Sequence, residues 1–322
     1  MKASRQRRTR RLMPSILATF GMAVGMVVVP LLVSRVPAHA AFPAENGLIA
    51  FSAETDDGIQ LFTVRRNGHH LRQITHGPGE ASTPDWSPNG RWLAYSLDEC
   101  TIALIRADGT HRHVIPSQTP DGCETDPAFT PDGDQLVFSR YDAIADEETV
   151  WIMNRDGTGR RLLGTGPAGA ATAEVSPDGQ TVTFLSFTPD DLSALFAVSI
   201  GGGDAWQVTP TLWGITFKHD WAPDGSRLVM SDNAGNPDRP ANVLTIRPDG
   251  TGLRYLTHLR RPDRRAFAGG YSPNGKWITY RLEHGDQSAL MIVRPNGHSE
   301  HTVLPFTSLV PRFIDWGPAA AS

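Results

Sequence analysis

Six segments of this chain close on an aromatic or aliphatic residue at near-constant spacing. Trp86, Phe129, Val175, Trp221, Tyr271 and Trp316 lie 43, 46, 46, 50 and 45 residues apart. In five of the six a Pro-Asp-Gly or Pro-Asn-Gly turn follows at once and leads into a short apolar strand. Proline presets φ at the second turn position, Asp or Asn tolerates the bend, and Gly takes the positive φ. A period in the forties built of strand-length pieces leaves each small sheet with bare faces, which only its neighbours cover when the units are arranged around an axis. The chain is therefore expected to be an all-β, six-bladed β-propeller of four-stranded antiparallel blades.

Each unit reads as four strands. The innermost, strand a, ends at the anchor. Strand b carries alternating apolar pairs (Ile49/Phe51, Leu93/Tyr95, Leu136/Phe138, Val182/Phe184, Leu228/Met230, Ile278/Tyr280), the pattern of a packed strand. Strand c closes on a second tight turn, most often Asn-Gly or Asp-Gly (Asn67-Gly68, Asp108-Gly109, Asp156-Gly157, Asp249-Gly250, Asn296-Gly297), a strong hairpin signal. Strand d is marked by Ile74-Thr75, Val208-Thr209 and Leu256-Thr257. The repeat begins on a strand b at Leu48 and finishes on a strand a at Trp316. The last strand is thus expected to complete the first blade and close the ring, leaving no unpaired edge.

Residues 1–40 read as a secretory signal peptide and 41–322 as the propeller. Lys2, Arg5, Arg7, Arg8, Arg10 and Arg11 precede an uncharged apolar run from Met13 to Val33, and Ala38-His39-Ala40 supplies a small-x-small cleavage pattern. Cleavage near Ala40 places the mature chain outside the cytoplasm with no membrane span; an uncleaved leader would instead be an N-terminal membrane anchor. Without the leader, 23 basic residues face 34 acidic ones, a net charge of about −11. That balance argues against a nucleic-acid partner, since phosphate binding needs a basic face. Cys100 and Cys123, placed on the same face of neighbouring elements, are expected to form a disulfide in an oxidising compartment, with two free thiols as the alternative.

The unit Pro-x-Trp-Ser-Pro-Asn/Asp-Gly-x-x-Leu-x-Tyr, followed by Asp-Gly and Leu-Thr, resembles the WD40-like (PD40) repeat of the TolB-type propellers over about residues 44–318. The resemblance implies the propeller fold; the leader and the varied loop face add the expectation of a binding role in the periplasm or outside the cell.

Three places could carry that role. The b–c loops share one face with the d-to-a loops and are acid-rich: Glu54, Asp56 and Asp57; Asp98 and Glu99; Asp142, Asp146, Glu147 and Glu148; Asp190 and Asp191; Asp232 and Asp238; Glu283 and Asp286. Loops that vary on a rigid scaffold are where recognition sits. Between the fifth and sixth blades, Arg260, Arg261, Arg264 and Arg265 break the acidic pattern. They would clamp a carboxylate, a phosphate or an acidic partner, or else neutralise neighbouring acids. The residue before each anchor is Asp85, Ala128, Glu174, Asp220, Gly270 or Asp315. Asp85, Glu174, Asp220 and Asp315 would hold a divalent cation in the central channel, or accept backbone hydrogen bonds between blades. Lys218, His219 and Asp220 form the densest polar cluster on any strand a, and His219 is a candidate general base, although alternation sends its side chain to the opposite face from that of Asp220.

No catalytic set stands out, and no cofactor is required. The chain is expected to be a monomeric scaffold binding an extracytoplasmic protein or a small polar ligand. The alternative is an enzyme, lyase-, hydrolase- or lactonase-like, acting on a small or carbohydrate-like substrate in the central cavity.

Overall fold

In the computed structural model, each repeat closes its hairpin as its sequence dictates. At the first turn Gly90 takes a φ of 66°; its N–H donates to Ser87 O at 2.9 Å, while Ser87 Oγ bonds Asn89 Oδ1 at 2.9 Å and receives the Trp92 N–H at 3.0 Å. The structure describes residues 44–118, 121–187, 192–210, 214–233, 236 and 238–320. The expected leader, and the loop acids Asp190 and Asp191, lie outside the described residues.

Among the described residues, 24 strands form six four-stranded antiparallel sheets. Numbered around the ring, the innermost strands are Arg312–Pro318 (blade 1), Ala81–Trp86 (blade 2), Gly122–Phe129 (blade 3), Ala171–Val175 (blade 4), Ile215–Trp221 (blade 5) and Arg264–Tyr271 (blade 6). Blades 2 to 6 are each continuous in sequence. Blade 1 is not: Arg312–Pro318 pairs with Asn46–Thr55, in register Ile49 to Trp316 and Ala50 to Asp315. The last strand therefore fills the inner position of the first blade and closes the ring.

The ring is held by six apolar cores, one at each seam. Leu61 and Ile74 of blade 1 pack with Trp86 and Tyr95 of blade 2, and Phe138 of blade 3 with Leu104 and Ile115 of blade 2. Further cores join blades 3 and 4, 4 and 5, and 5 and 6. At the closing seam, Trp277 and Leu290 of blade 6 meet Ile49, Phe51 and Trp316 of blade 1. Each anchor thus works between blades rather than within one.

The Ile-Thr, Val-Thr and Leu-Thr pairs sit just beyond the short outer strands Arg72–Gln73, Trp206–Gln207 and Arg254–Tyr255 rather than inside them. Ile74, Val208 and Leu256 are buried. The threonine hydroxyls of Thr75, Thr209 and Thr257 accept the N–H groups of Leu61, Leu195 and Val243 at 2.8, 2.8 and 2.9 Å. The threonine thus extends the ladder with its side chain where the outer strand has ended.

Candidate functional site: the channel and its loop-face mouth

Every innermost strand is bulged. Register shifts fall between Ser82 and Asp85, Thr125 and Ala128, Ala171 and Glu174, Ile215 and His219, and Ala268 and Tyr271, with the equivalent shift in blade 1 near Arg312. In four blades the residue three before the anchor is in the left-handed region: Thr83, Asp126, Thr172 and Phe313 have φ of 48°, 51°, 50° and 48°. Such backbone is costly for Thr and Phe and persists because the surrounding contacts fix it. A bulge re-aims side chains. Here it lets Thr83, Asp126, Thr172 and Phe313 line a small inner cavity of about 20 Å³ together with Lys218, Asp85 and Glu174.

The channel carboxylates divide their work. Asp315 Oδ2 accepts the Trp86 N–H at 2.8 Å, Asp85 Oδ2 the Phe129 N–H at 2.7 Å, and Asp220 Oδ2 the Tyr271 N–H at 2.6 Å. In each case the carboxylate of one blade holds the anchor of the next. Glu174 instead pairs with the ammonium of Lys218. Gly270 makes room in blade 6: a Cβ there would stand 2.9 Å from Asp220 and 3.2 Å from Asp315. Burial, and then the charges of Asp315 and Glu174, push Asp85 well above the usual carboxylate range. Burial, then Glu174, does the same to Asp220. Burial alone would depress Lys218, but Glu174, Asp315, Asp220 and Asp85 outweigh it and hold the ammonium charged. Among the described residues no group of three or more His, Cys, Asp or Glu side chains is arranged to hold a metal ion.

His219 stands apart from this set. Its ring is fully buried, with Nε2 2.9 Å from Thr183 Oγ1 of blade 4, a hydroxyl that also receives the Trp221 Nε1–H at 3.0 Å. Burial, then the Lys218 charge, lowers His219 to about 3. The ring is neutral and lies in the seam between blades 4 and 5, while Lys218 and Asp220 on either side of it face the channel.

On the loop face, Cys100 follows strand b of blade 2. Cys123 lies within the innermost strand of blade 3, not in the loop before it. A disulfide joins them, with Cα atoms 4.1 Å apart, and ties the two blades. The acids Glu54, Asp56, Asp57, Asp98, Glu99, Asp146, Glu147, Asp238 and Asp286 are exposed. Asp232 is buried and accepts the Tyr255 hydroxyl. Glu148 is partly covered; burial, and then Asp126, push it up to about 7.

The four arginines are all exposed. Arg260 and Arg261 lie in the connection between blades 5 and 6, whereas Arg264 and Arg265 already open the blade 6 strand Arg264–Tyr271, across from His284 and Glu283. None of the four forms an ion pair with a described residue.

Sequence reasoning missed the channel mouth. A cavity of about 610 Å³ opens there, with Lys218, Arg281, Arg312, Phe187, Phe267 and Phe313 in its wall. Arg281 lies on strand b of blade 6 directly opposite Phe267, its guanidinium 4.3 Å from the ring centroid. Apart from Lys218, no local pattern marks these residues, because they come from blades 4, 5, 6 and 1.

Comparison with known proteins agrees with this architecture. The chain is 38% identical over 127 residues to the Tol-Pal system protein TolB of Nitratidesulfovibrio vulgaris, which covers 39% of the chain and 28% of that protein. It is 23% identical over 190 residues to the uncharacterized peptidase YuxL of Bacillus subtilis, 48% of the chain and 29% of that protein. These matches span less than a third of either relative. Among solved structures, TolB from Acinetobacter baumannii superposes with a TM-score of 0.68 at 19% identity, covering 84% of this chain and 67% of that one. An oligogalacturonate lyase in complex with manganese gives 0.56 at 16% identity, covering 79% and 73%. The model of the TolB beta propeller domain matches residues 98–320, and the chain belongs to that family.

Proposed function

We propose that this propeller is an extracytoplasmic binding scaffold whose loop face captures a protein partner, with Arg260, Arg261, Arg264 and Arg265 receiving an acidic patch of that partner. The observation that carries this reading is the state of those arginines: exposed, clustered on an otherwise acid-rich face, and without an ion pair among the described residues. An unpaired guanidinium on a rigid strand keeps its planar fork free for carboxylates, and the surrounding acids disfavour wrong partners by like-charge repulsion. The apolar leader and the Cys100–Cys123 disulfide support an extracytoplasmic location. Among the described residues no helix is long and apolar enough to cross a membrane.

Catalysis at the channel carboxylates is the second reading, and the geometry favours it less. The inner cavities around them measure about 20 and 110 Å³, room for a few waters rather than for a sugar ring. Three of the carboxylates already hold backbone N–H groups.

Cross-linking in the host's extracytoplasmic fraction, followed by mass spectrometry, tests the scaffold reading. The Arg264→Ala/Arg265→Ala variant should melt like the wild type and yet capture its partner at least several-fold less, with wild-type capture falling as salt rises. Unchanged capture by the variant overturns the assignment of this sector.

A further inference from the structure

The mouth cavity differs in kind from the face around it. Its described walls come from the loop-side ends of strands in four blades: Phe187 and Ser193 (blade 4), Thr216, Lys218 and Asn233 (blade 5), Phe267 and Arg281 (blade 6), Arg312 and Phe313 (blade 1). Three of these residues are cationic and none is acidic, although the rim outside is acid-rich. The cations are not equivalent. Lys218 is paired with Glu174 below. Arg281 donates to Pro311 O at 3.3 Å, meets Glu283 Oε1 at 3.0 Å and stands over the Phe267 ring at 4.3 Å from its centroid. Its charge is therefore fixed in the wall, with both terminal nitrogens engaged and Nε buried without a partner among the described residues. Arg312 is exposed and forms no ion pair with a described residue. The cavity thus offers one free guanidinium, a second positive charge held behind an aromatic ring, and two further phenylalanines that are also only partly buried.

A volume of about 610 Å³ lies within the range of small-molecule sites, which pair an apolar lining with a few placed polar groups. The free guanidinium takes a carboxylate through two N–H donors. The phenylalanine faces take a flat apolar body, while the hydroxyls of Ser193 and Thr216 already donate to the carbonyls of Ile215 and Ser231. A cationic ligand is disfavoured by the lining charge itself. We propose that the channel mouth is a binding site for a small aromatic carboxylate, its anionic group on Arg312 and its ring among Phe187, Phe267 and Phe313. This site is separate from the arginine sector assigned to a protein partner, and each can fail without the other.

Titration calorimetry on the chain purified from its host, with 2-naphthoate and its neutral isostere 2-naphthamide as probes, tests the assignment. Naphthoate should bind at least about tenfold more tightly than naphthamide, the value of a charge-assisted hydrogen bond. Arg312→Gln should erase that preference without shifting the melting temperature. Phe267→Ala should weaken both probes, and Arg264→Ala should change neither. Absence of naphthoate binding in the wild type, or equal naphthoate affinity in wild type and Arg312→Gln, overturns the proposal. If Phe267→Ala lowers the melting temperature, Phe313→Leu takes its place as the ring-wall variant, and unchanged affinity there also overturns it.

Discussion

The buried carboxylates show how one residue type serves two ends at once. Asp220 accepts the N–H groups of Trp221 and Tyr271 at 2.8 and 2.6 Å, and an unmet buried amide costs about 1–3 kcal/mol. Its charge is nevertheless disfavoured, because burial and Glu174 raise its pKa. A carboxylate whose folded pKa lies above its unfolded value contributes stability that is complete below the unfolded pKa and is lost as pH rises through the folded one. His219 works in the opposite direction. Its folded pKa of about 3 against 6.5 gives stability that is complete above 6.5 and lost as pH falls. The two slopes oppose each other in the wild type, so the comparison of variants isolates Asp220. Asp220→Asn keeps an acceptor and removes the charge. Thermal melts should find its stability relative to wild type rising between pH 5 and pH 8. Asp220→Ala removes the acceptor as well and should lose about 1–3 kcal/mol at pH 5. A relative stability of Asp220→Asn that is flat with pH would show that Asp220 ionises as freely in the fold as out of it.

Among the elements, the innermost strand carries the most. It supplies the seam anchor, the carboxylate that grips the next blade, and the bulge that turns Thr83, Asp126, Thr172 and Phe313 toward the channel. The disulfide adds a covalent tie between one such strand and the preceding blade. Its two cysteines are 23 residues apart, and closing a loop of that length stabilises by about 3 kcal/mol in the chain-entropy account. The double variant Cys100→Ser/Cys123→Ser should lose about that amount in urea unfolding, with blades 2 and 3 the first to exchange amide hydrogens. Uniform exchange across all six blades would mean that the bridge does not govern this seam.

For the whole molecule, closure matters more than any one blade. Arg312–Pro318 pairs along Asn46–Thr55, Trp316 packs into the core shared with blade 6, and Asp315 holds Trp86 of blade 2. Ending the chain before Arg312 removes all three contacts and bares a strand edge. The truncated chain should elute as aggregate or as an expanded monomer in gel filtration and lose its cooperative melt. Retention of a compact, cooperative monomer would show that five complete blades and a three-stranded remnant suffice.

The repeat alone determined the architecture, because each part of it acts locally. Pro-Asp-Gly sets a turn, alternation sets which strand face is buried, and the order of strands in the repeat pointed to a last strand that completes the first blade, which the structure pairs in register Ile49 to Trp316. The four channel carboxylates and Lys218 were legible for the same reason, since each holds a fixed position relative to an anchor. Backbone hydrogen bonds between blades were one of the two roles open to them, but which carboxylate takes which partner was not legible. Three accept the amide of the next anchor and the fourth takes a lysine 44 residues away, choices that only the packing of neighbouring blades decides. The same packing put His219 in a seam and split the arginine cluster between a connection and a strand. Phe187, Lys218, Phe267, Arg281, Arg312 and Phe313 became one cavity wall only in the folded ring. A periodic sequence states what every blade has in common, whereas a site assembled where four blades converge depends on contacts between residues far apart in the chain.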